Sequence, residues 1–574
     1  MNHKLLLIGA AVLLLASCDK QMNYNEYNIY DTDYVTRNFD NVGGFMTDIY
    51  NTVEYDFGNY SSGAMLASAT DESEYSVKGN AIEDFYNGSW SPANPKSATW
   101  SNMYSGIAAC NTVLSKMQGL TFDELSLNKD YIQQMHRYKN YQYESRFMRA
   151  YFYFCLARQY GGVPIVTEDM TPSQINTLSR SSSDDVFKYI ISECNDIQDK
   201  IVEDYSNLGD FSLSTAETGR ADKLAVMALK ARAALYWASP LFNASNDKER
   251  WHQAATYNKE LLDACAARGK KLTKNYADLW STLNYSTAAI TQEIIFARRY
   301  YSSSSGDHLV ESYNYPVGIE GGAGGNCPTQ DLVDAYDMKS GKPIFEAGSG
   351  YDDQNPYVNR DPRLNATVAV NGSVWPTYSG TAALQTYEGG ANGEPISHAT
   401  TTGYYLKKLC HGEISLASNG RTKANFHSYV IFRLGGIYLD YAEAVFRYLG
   451  SADATSSEFP MSASEAASMT RVRAGIPAFG TGMSNDVFWE RYKKERMVEL
   501  AFEGYRFWDV RRWKEADKYF KTISEMKIDL VDGTLMFSRA FVNRSWNDKM
   551  YLFPIPQSEI MKNGNLSQNP GWAN

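Results

Sequence analysis

Residues 495–513 read ERMVELAFEGYRFWDVRRW, and the spacing of the apolar side chains in this stretch points to the fold class. Met497, Leu500, Ala501, Tyr505 and Trp508 recur at three- and four-residue steps, which predicts one apolar stripe along a helix. Glu495 and Glu499 fall one turn apart beside Arg496. Rings this large bury well only when other elements cover them, and charges packed among them must pair with one another if they are buried too. Gly504 breaks the period and predicts a bend or the close approach of another backbone. The stretch reads as the hub of an all-helical core, with nothing catalytic in it.

The helical signal recurs on the N-terminal side. Helix is expected from about Tyr429 through Tyr448, and Ser462 with Glu465 forms a capping box for the next one. Arg220–Ala238 and Trp251–Arg268 each carry an Ala-rich apolar face. Ser182 with Asp185 opens a helix bearing Phe187, Ile190, Ile191 and Cys194. Glu144–Tyr160 is apolar on two adjoining faces and therefore central; Gly161-Gly162 stops it. Further helix is expected from Trp100 and over Asn41–Asp56, whereas Ala69–Pro95, broken by Gly79, Gly88, Pro92 and Pro95, reads as an exposed irregular loop. Such helices joined by short breaks suggest hairpins stacked as in a tetratricopeptide solenoid. Between 300 and 425 the texture changes: 17 of the 41 glycines fall there, with many tyrosines and no helical period. The fold class is mainly α, a helical-hairpin solenoid with a large insertion of loops and short strands. Such loops are where binding sites tend to be placed on a rigid scaffold.

The first residues bear on the compartment. Lys4, an apolar run from Leu5 to Leu15, and Ala16-Ser17-Cys18 give a charged segment, a short hydrophobic segment and small residues before a cysteine. The run is too short to span a bilayer, and Leu15-Ala16-Ser17-Cys18 resembles the bacterial lipobox, in which the cysteine is acylated and becomes the new N-terminus. Several acyl chains at about 0.8 kcal/mol per buried methylene anchor a protein stably. The net charge is −11, one unit more negative once Lys4 leaves, which argues against nucleic acid and against polybasic membrane docking. Of the six other cysteines, four fall in helical apolar patterns and read as buried thiols. His411 beside Cys410 is a lone pair, and neither a metal nor a cofactor is expected. GNYSSG at 58–63 is too long for a nucleophile elbow, and no P-loop, dinucleotide, HExxH or EF-hand spacing is present. Asp71-Glu72 is the best available carboxylate pair for a glycosidase, whose required separation no sequence displays.

The hub resembles the C-terminal signature of the SusD/RagB family of outer-membrane nutrient-binding lipoproteins, ER..EL..EG.R..D..RW. WSNMYSGIAACN at 100–111, ESRFMRAYFYFCLARQYGGVPIV at 144–166, QDLVDAYDMKSGKPI at 330–344, NRDPRL at 359–364, RLGGIYLDYAEA at 433–444 and the tail from Tyr551 to Trp572 are similar to the family's recurring segments, in the family's order. The resemblance implies a surface-exposed, lipid-anchored protein of the outer membrane, without enzymatic activity, that captures a glycan and passes it to a SusC-like TonB-dependent barrel transporter. Peptide capture in the same architecture is the alternative; a surface-anchored glycoside hydrolase and a pure interaction scaffold are further readings. The expected organisation is a signal peptide at 1–17, a tether at 18–37, helical regions at 38–299 and 426–574 and the insertion at 300–425, all in one structural unit. Sugar rings pack C–H faces on aromatic rings and need amide or carboxylate partners at their edges. The resemblance implies an aromatic arc built from the first irregular loop and the insertion. Trp90 and Trp375 are the expected stacking platforms, Tyr301 and Tyr315 secondary faces, and Asp71 and Asn94 hydroxyl partners.

Overall fold

The structure, a computed structural model, describes residues 32–205, 219–280, 292–302, 309–319, 321–377, 380–412, 414–416 and 425–573. Cys18 and the signal-like segment lie outside the described residues. The helices that matter for the site are α1 (Phe39–Asn51), α2 (Thr99–Lys116), α3 (Tyr131–Tyr160), α4 (Ser183–Ile197), α5 (Lys223–Ala238), α6 (Lys248–Ala267), α7 (Leu434–Leu449), α8 (Ala463–Arg473), α9 (Asn485–Glu499) and α10 (Arg506–Arg512). Their starts follow from side chains that satisfy the first free N–H groups. Asn38 accepts from Asn41 N at 2.9 Å and Ser182 from Asp185 N at 3.1 Å, while Ser462 and Glu465 form a reciprocal capping box. Glycines in positive-φ conformations, Gly161 and Gly450, end α3 and α7.

From α2 to α9 each of these helices packs on the next, and α1 lies on α3. This is the tetratricopeptide-like stack. Helix α5 is buried from Leu224 to Ala238 on every face, and its alanines let the neighbours come close. Helix α6 packs on α7 although residues 268–433 intervene. The insertion therefore leaves and re-enters the stack within a single helical hairpin. Two antiparallel strands stand at its ends, β1 (Ile294–Ser302) and β2 (Asn425–Arg433). Residues 429–433, expected as the start of a helix, belong to β2, where Val430 and Phe432 face the interior. Strands β3 (Thr522–Val531) and β4 (Thr534–Asn543) form a hairpin after the hub. The end of the expected tether is part of the body: Thr32–Val35 is a helical turn and Val35 is buried in the core. No helix among the described residues is long and apolar enough to cross a membrane.

The hub is not one helix. Helix α9 stops at Glu499, the chain turns through Phe502 (φ +57°) and Gly504 (φ +76°), and α10 begins at Arg506. The corner divides the stripe. Leu500, Tyr505 and Trp508 enter the main helical core, whereas Met497 and Ala501 enter a second core shared with Leu332, Tyr336, Leu364 and Tyr404 of the insertion. The hub charges do pair. Arg433 bonds Glu293 at 2.8 Å, Glu499 at 2.7 Å and Glu503 at 2.8 Å, and Arg363 reaches Glu495 at 2.6 Å and Glu499 at 2.9 Å. Burial alone would raise the Glu499 carboxyl, but Arg473, Arg433 and Arg363 outweigh it and hold the group well below the usual carboxylate range. Removing one partner of such a buried pair costs about 3–5 kcal/mol, because the other charge stays buried alone. Of the first irregular loop, expected to be exposed over Ala69–Pro95, Val77–Pro95 is mostly exposed or half-buried, whereas the stretch from Ala69 to Ser76 is buried. Its short strand Ser73–Tyr75 pairs with Asn326–Pro328 of the insertion, and Glu72 accepts the Phe502 N–H at 2.7 Å.

Candidate functional site

A cavity of about 550 Å³ opens where the loop after α1, the start of α2, strand β2 and the hub corner meet. Its walls are aromatic: Tyr55, Tyr60, Tyr151, Tyr236, Tyr429 and Trp508 line it. Its mouth is polar, with the exposed amides of Asn51, Asn59 and Asn102 among the lining residues. Gly504 makes the close approach at the corner possible. A Cβ there would stand 2.6 Å from the Tyr429 hydroxyl, and φ is +76°. The close approach expected at this glycine is thus made by a tyrosine side chain instead of a second backbone.

Arg158, Arg298, Glu54 and Asp56 around the cavity are all engaged within the protein. Arg298 lies over the Tyr55 ring at 4.1 Å and donates to the carbonyls of Asn51 (2.9 Å) and Val53 (2.6 Å), which fixes the loop after α1. Arg158 pairs with Glu54 and stacks on Trp508 at 4.6 Å; Glu54 also accepts from the Thr99 hydroxyl at 3.0 Å. Asp56 accepts from Leu66 N at 2.6 Å and Gly58 N at 3.3 Å, and burial nevertheless pushes its carboxyl up to about 7. With these carboxylates committed to guanidinium or backbone groups, the chemistry left at the mouth is neutral amides and hydroxyls above ring walls. That arrangement suits an uncharged, hydroxyl-rich ligand with flat apolar faces.

The residues expected from sequence fall elsewhere. Trp90 is 2% exposed and packs between Phe553 (4.6 Å between centroids), Phe85 (4.7 Å) and Trp572 (5.1 Å), so it has no face free for a ring. Trp375 is 1% exposed in a small core with Tyr315, whose ring lies 5.5 Å away. The Tyr315 hydroxyl is turned to the carbonyls of His411 and Ile414, holding that loop. Asp71 is buried and bonds Arg506 at 2.8 and 2.6 Å, which makes it a structural ion pair. Its neighbour Glu72 is buried too, so the pair nominated for hydrolysis faces the hub and not a cleft. Asn94 is half-buried and donates to Asp84 within its own loop at 3.1 Å. Tyr301 lies on β1 opposite Phe426, and its side chain is outside the described residues. None of the other five lines the cavity. Of the residues that do, Asn59 and Tyr60 carried a readable signal: they sit in GNYSSG, a glycine-bounded polar turn with an aromatic. Tyr151, Tyr429 and Trp508 lie in periodic segments and look like core.

Two family models match the chain, the SusD family over residues 292–572 and a family described as starch-binding associating with outer membrane over residues 26–235. A SusD-like protein of Bacteroides ovatus is 23% identical, with 99% of this chain and 98% of the relative covered. Among solved structures, a SusD-like protein of Bacteroides fragilis superposes with a TM-score of 0.75 at 24% identity, covering 94% of this chain and 98% of the other. A SusD-like carbohydrate binding protein of the same species gives 0.71 at 22% identity, covering 93% and 100%.

Proposed function

Because the chain belongs to the SusD/RagB family, we propose that it is a surface lipoprotein of the outer membrane, anchored through Cys18, that captures a glycan and hands it to a SusC-like TonB-dependent transporter. The observation that carries the reading is the cavity beside the hub corner, with its tyrosine and tryptophan walls and the exposed amides at its mouth. The family described as starch-binding and the structural relative described as carbohydrate-binding support the same ligand class. The half-buried rings of Tyr55, Tyr60 and Tyr429 supply the stacking faces, and Asn51, Asn59 and Asn102 supply partners for sugar hydroxyls. Tethering beside a pore supplies a high effective concentration, so modest affinity is sufficient for delivery. The protein carries out capture and transfer, and enzymes elsewhere break the glycan.

The test is retardation of the mature chain in native gels cast with a panel of polysaccharides. The parent is slowed by at least one of them, and Tyr55→Ala and Asn102→Ala each weaken that binding by about tenfold. Parent-like retardation of both variants would remove the cavity from consideration. Binding of peptides with no glycan retarding the protein would favour the alternative reading, and release of shortened sugars would turn it into a hydrolase. Cys18→Ala should separately abolish fatty-acid labelling and release the chain from the membrane.

A further inference from the structure

Three side chains outside the cavity converge at the junction of the insertion with the helical stack. Glu311 sits on the short helix Leu309–Asn314, His411 on the loop after the two-residue strand Tyr405–Leu406, and His427 on β2. Glu311 and His427 are buried, at 0% and 5% exposure, and His411 is half-buried. One ligand atom from each of the three lies within 4.8 Å of the other two. The Glu311 Oε1 to His427 Nε2 distance is 3.1 Å, and the two imidazoles lie 4.6 Å apart between ring centres. Glu311 Oε2 is buried and accepts no hydrogen bond. A buried carboxylate oxygen without a donor is costly, and a cation within bonding reach removes the cost.

We propose that Glu311, His411 and His427 bind a divalent metal ion of zinc's class and that the ion fastens the insertion to strand β2. Two imidazoles and one carboxylate form a borderline donor set, suited to zinc and its first-row neighbours and poorly suited to calcium or magnesium, which take oxygen ligands. Zinc held at about 2.0–2.1 Å by tetrahedral ligands keeps those ligands roughly 3.4 Å apart. The Glu311–His427 pair is already close to this spacing, and the widest separation needs a shift of no more than about 1.5 Å, shared between side chains.

The surroundings orient the ligands. The backbone N–H of His411 donates to Glu311 Oε1 at 3.1 Å, and the Tyr315 hydroxyl pins the carbonyls of His411 and Ile414. Such outer contacts set the direction in which a ligand presents its lone pair. His427 is two residues from Tyr429 on β2, so both project to the same side, and Phe57 packs on each, at 5.5 and 5.6 Å. The ion would thus brace the strand that carries one wall of the cavity. The ion would join Glu311 to a ligand 100 positions along the chain, His411, and a cross-link that closes a long loop constrains the unfolded chain most.

The experiment uses the full mature chain, stripped with chelator, dialysed against zinc chloride, desalted and assayed for metal. About one zinc per chain should remain, with thermal unfolding shifted up by a few degrees and returned by EDTA. His411→Ala and His427→Ala should each weaken zinc binding by about a hundredfold and Glu311→Gln by about tenfold. The surface histidine His252, which lies 2.9 Å from Glu458 and 3.6 Å from Glu249, is the competing site. His252→Ala should retain full stoichiometry; if it loses the zinc while the His411 and His427 variants keep it, the assignment is overturned. Should a histidine variant fail to fold, the parent still decides. Cobalt(II) in place of zinc must give the visible bands of a low-symmetry nitrogen and oxygen site, and a parent that retains neither metal refutes the proposal.

Discussion

Glu72 is 1% exposed, and burial pushes its carboxyl from the ordinary 4.5 up to about 8, against the weaker downward pull of the Phe502 N–H and Lys408. Its folded-state value is the higher one, so the folded protein binds this proton more tightly than the unfolded chain. The resulting stabilisation is complete below about pH 4.5 and is lost as the pH rises through about 8. Glu72→Gln keeps an acceptor for Phe502 and removes the titration. Its melting temperature should therefore fall less than the parent's between pH 5 and 9; parallel curves for the two proteins would sink this account. The same loop shows where sequence reasoning stopped. Polar and glycine-rich composition marked residues 69–95 as irregular, and they are, but irregular was read as exposed. What covers Trp90 is Phe553 and Trp572, and what holds Asp71 is Arg506. Each lies more than four hundred residues away, and no local pattern carries that information.

Elements were more legible than sites. The caps at Ser182 and Ser462, the glycine stop at Gly161 and the all-round apolar face of α3 depend on residues within a few positions of one another, and each is found where local chemistry puts it. Strand β2 was missed because Ile437, Tyr438 and Tyr441 continue the apolar run without a break, and periodicity alone does not separate the end of a strand from the start of a helix. Two glycines test how tightly the elements fit. In α2, a Cβ on Gly106 would stand 2.5 Å from the Phe152 ring of α3, while Gly44 in α1 has nothing within 4 Å. Gly106→Ala should destabilise despite the better helix former, since overpacking costs about 1–3 kcal/mol against roughly 1 gained. Gly44→Ala should stabilise by about 0.5–1 kcal/mol. Thermal unfolding of the two variants reads both signs at once, and a stabilised Gly106→Ala would show that α2 and α3 pack more loosely than described.

At the scale of the whole molecule, the hub corner serves two cores. Met497 and Ala501 face the insertion, and Leu500, Tyr505 and Trp508 face the helical stack. Loss of either core strands half of the corner's side chains, so the two should unfold as one cooperative unit. Calorimetry should give a single transition, and Met497→Ala and Leu500→Ala should both lower it, by about 2–5 kcal/mol each. Two resolved transitions, each moved by only one variant, would contradict that picture. The path of the chain through the stack also bears on biogenesis. Helix α6 finds its mate α7 only after residues 268–433 have been made. While the polypeptide is being made, the apolar side of α6 emerges first and stays wet until the far half of the hairpin arrives. A holdase that shields that side during the delay, or synthesis rapid enough to outrun aggregation, becomes a requirement of the topology, and a chain truncated before residue 434 should accumulate as insoluble material.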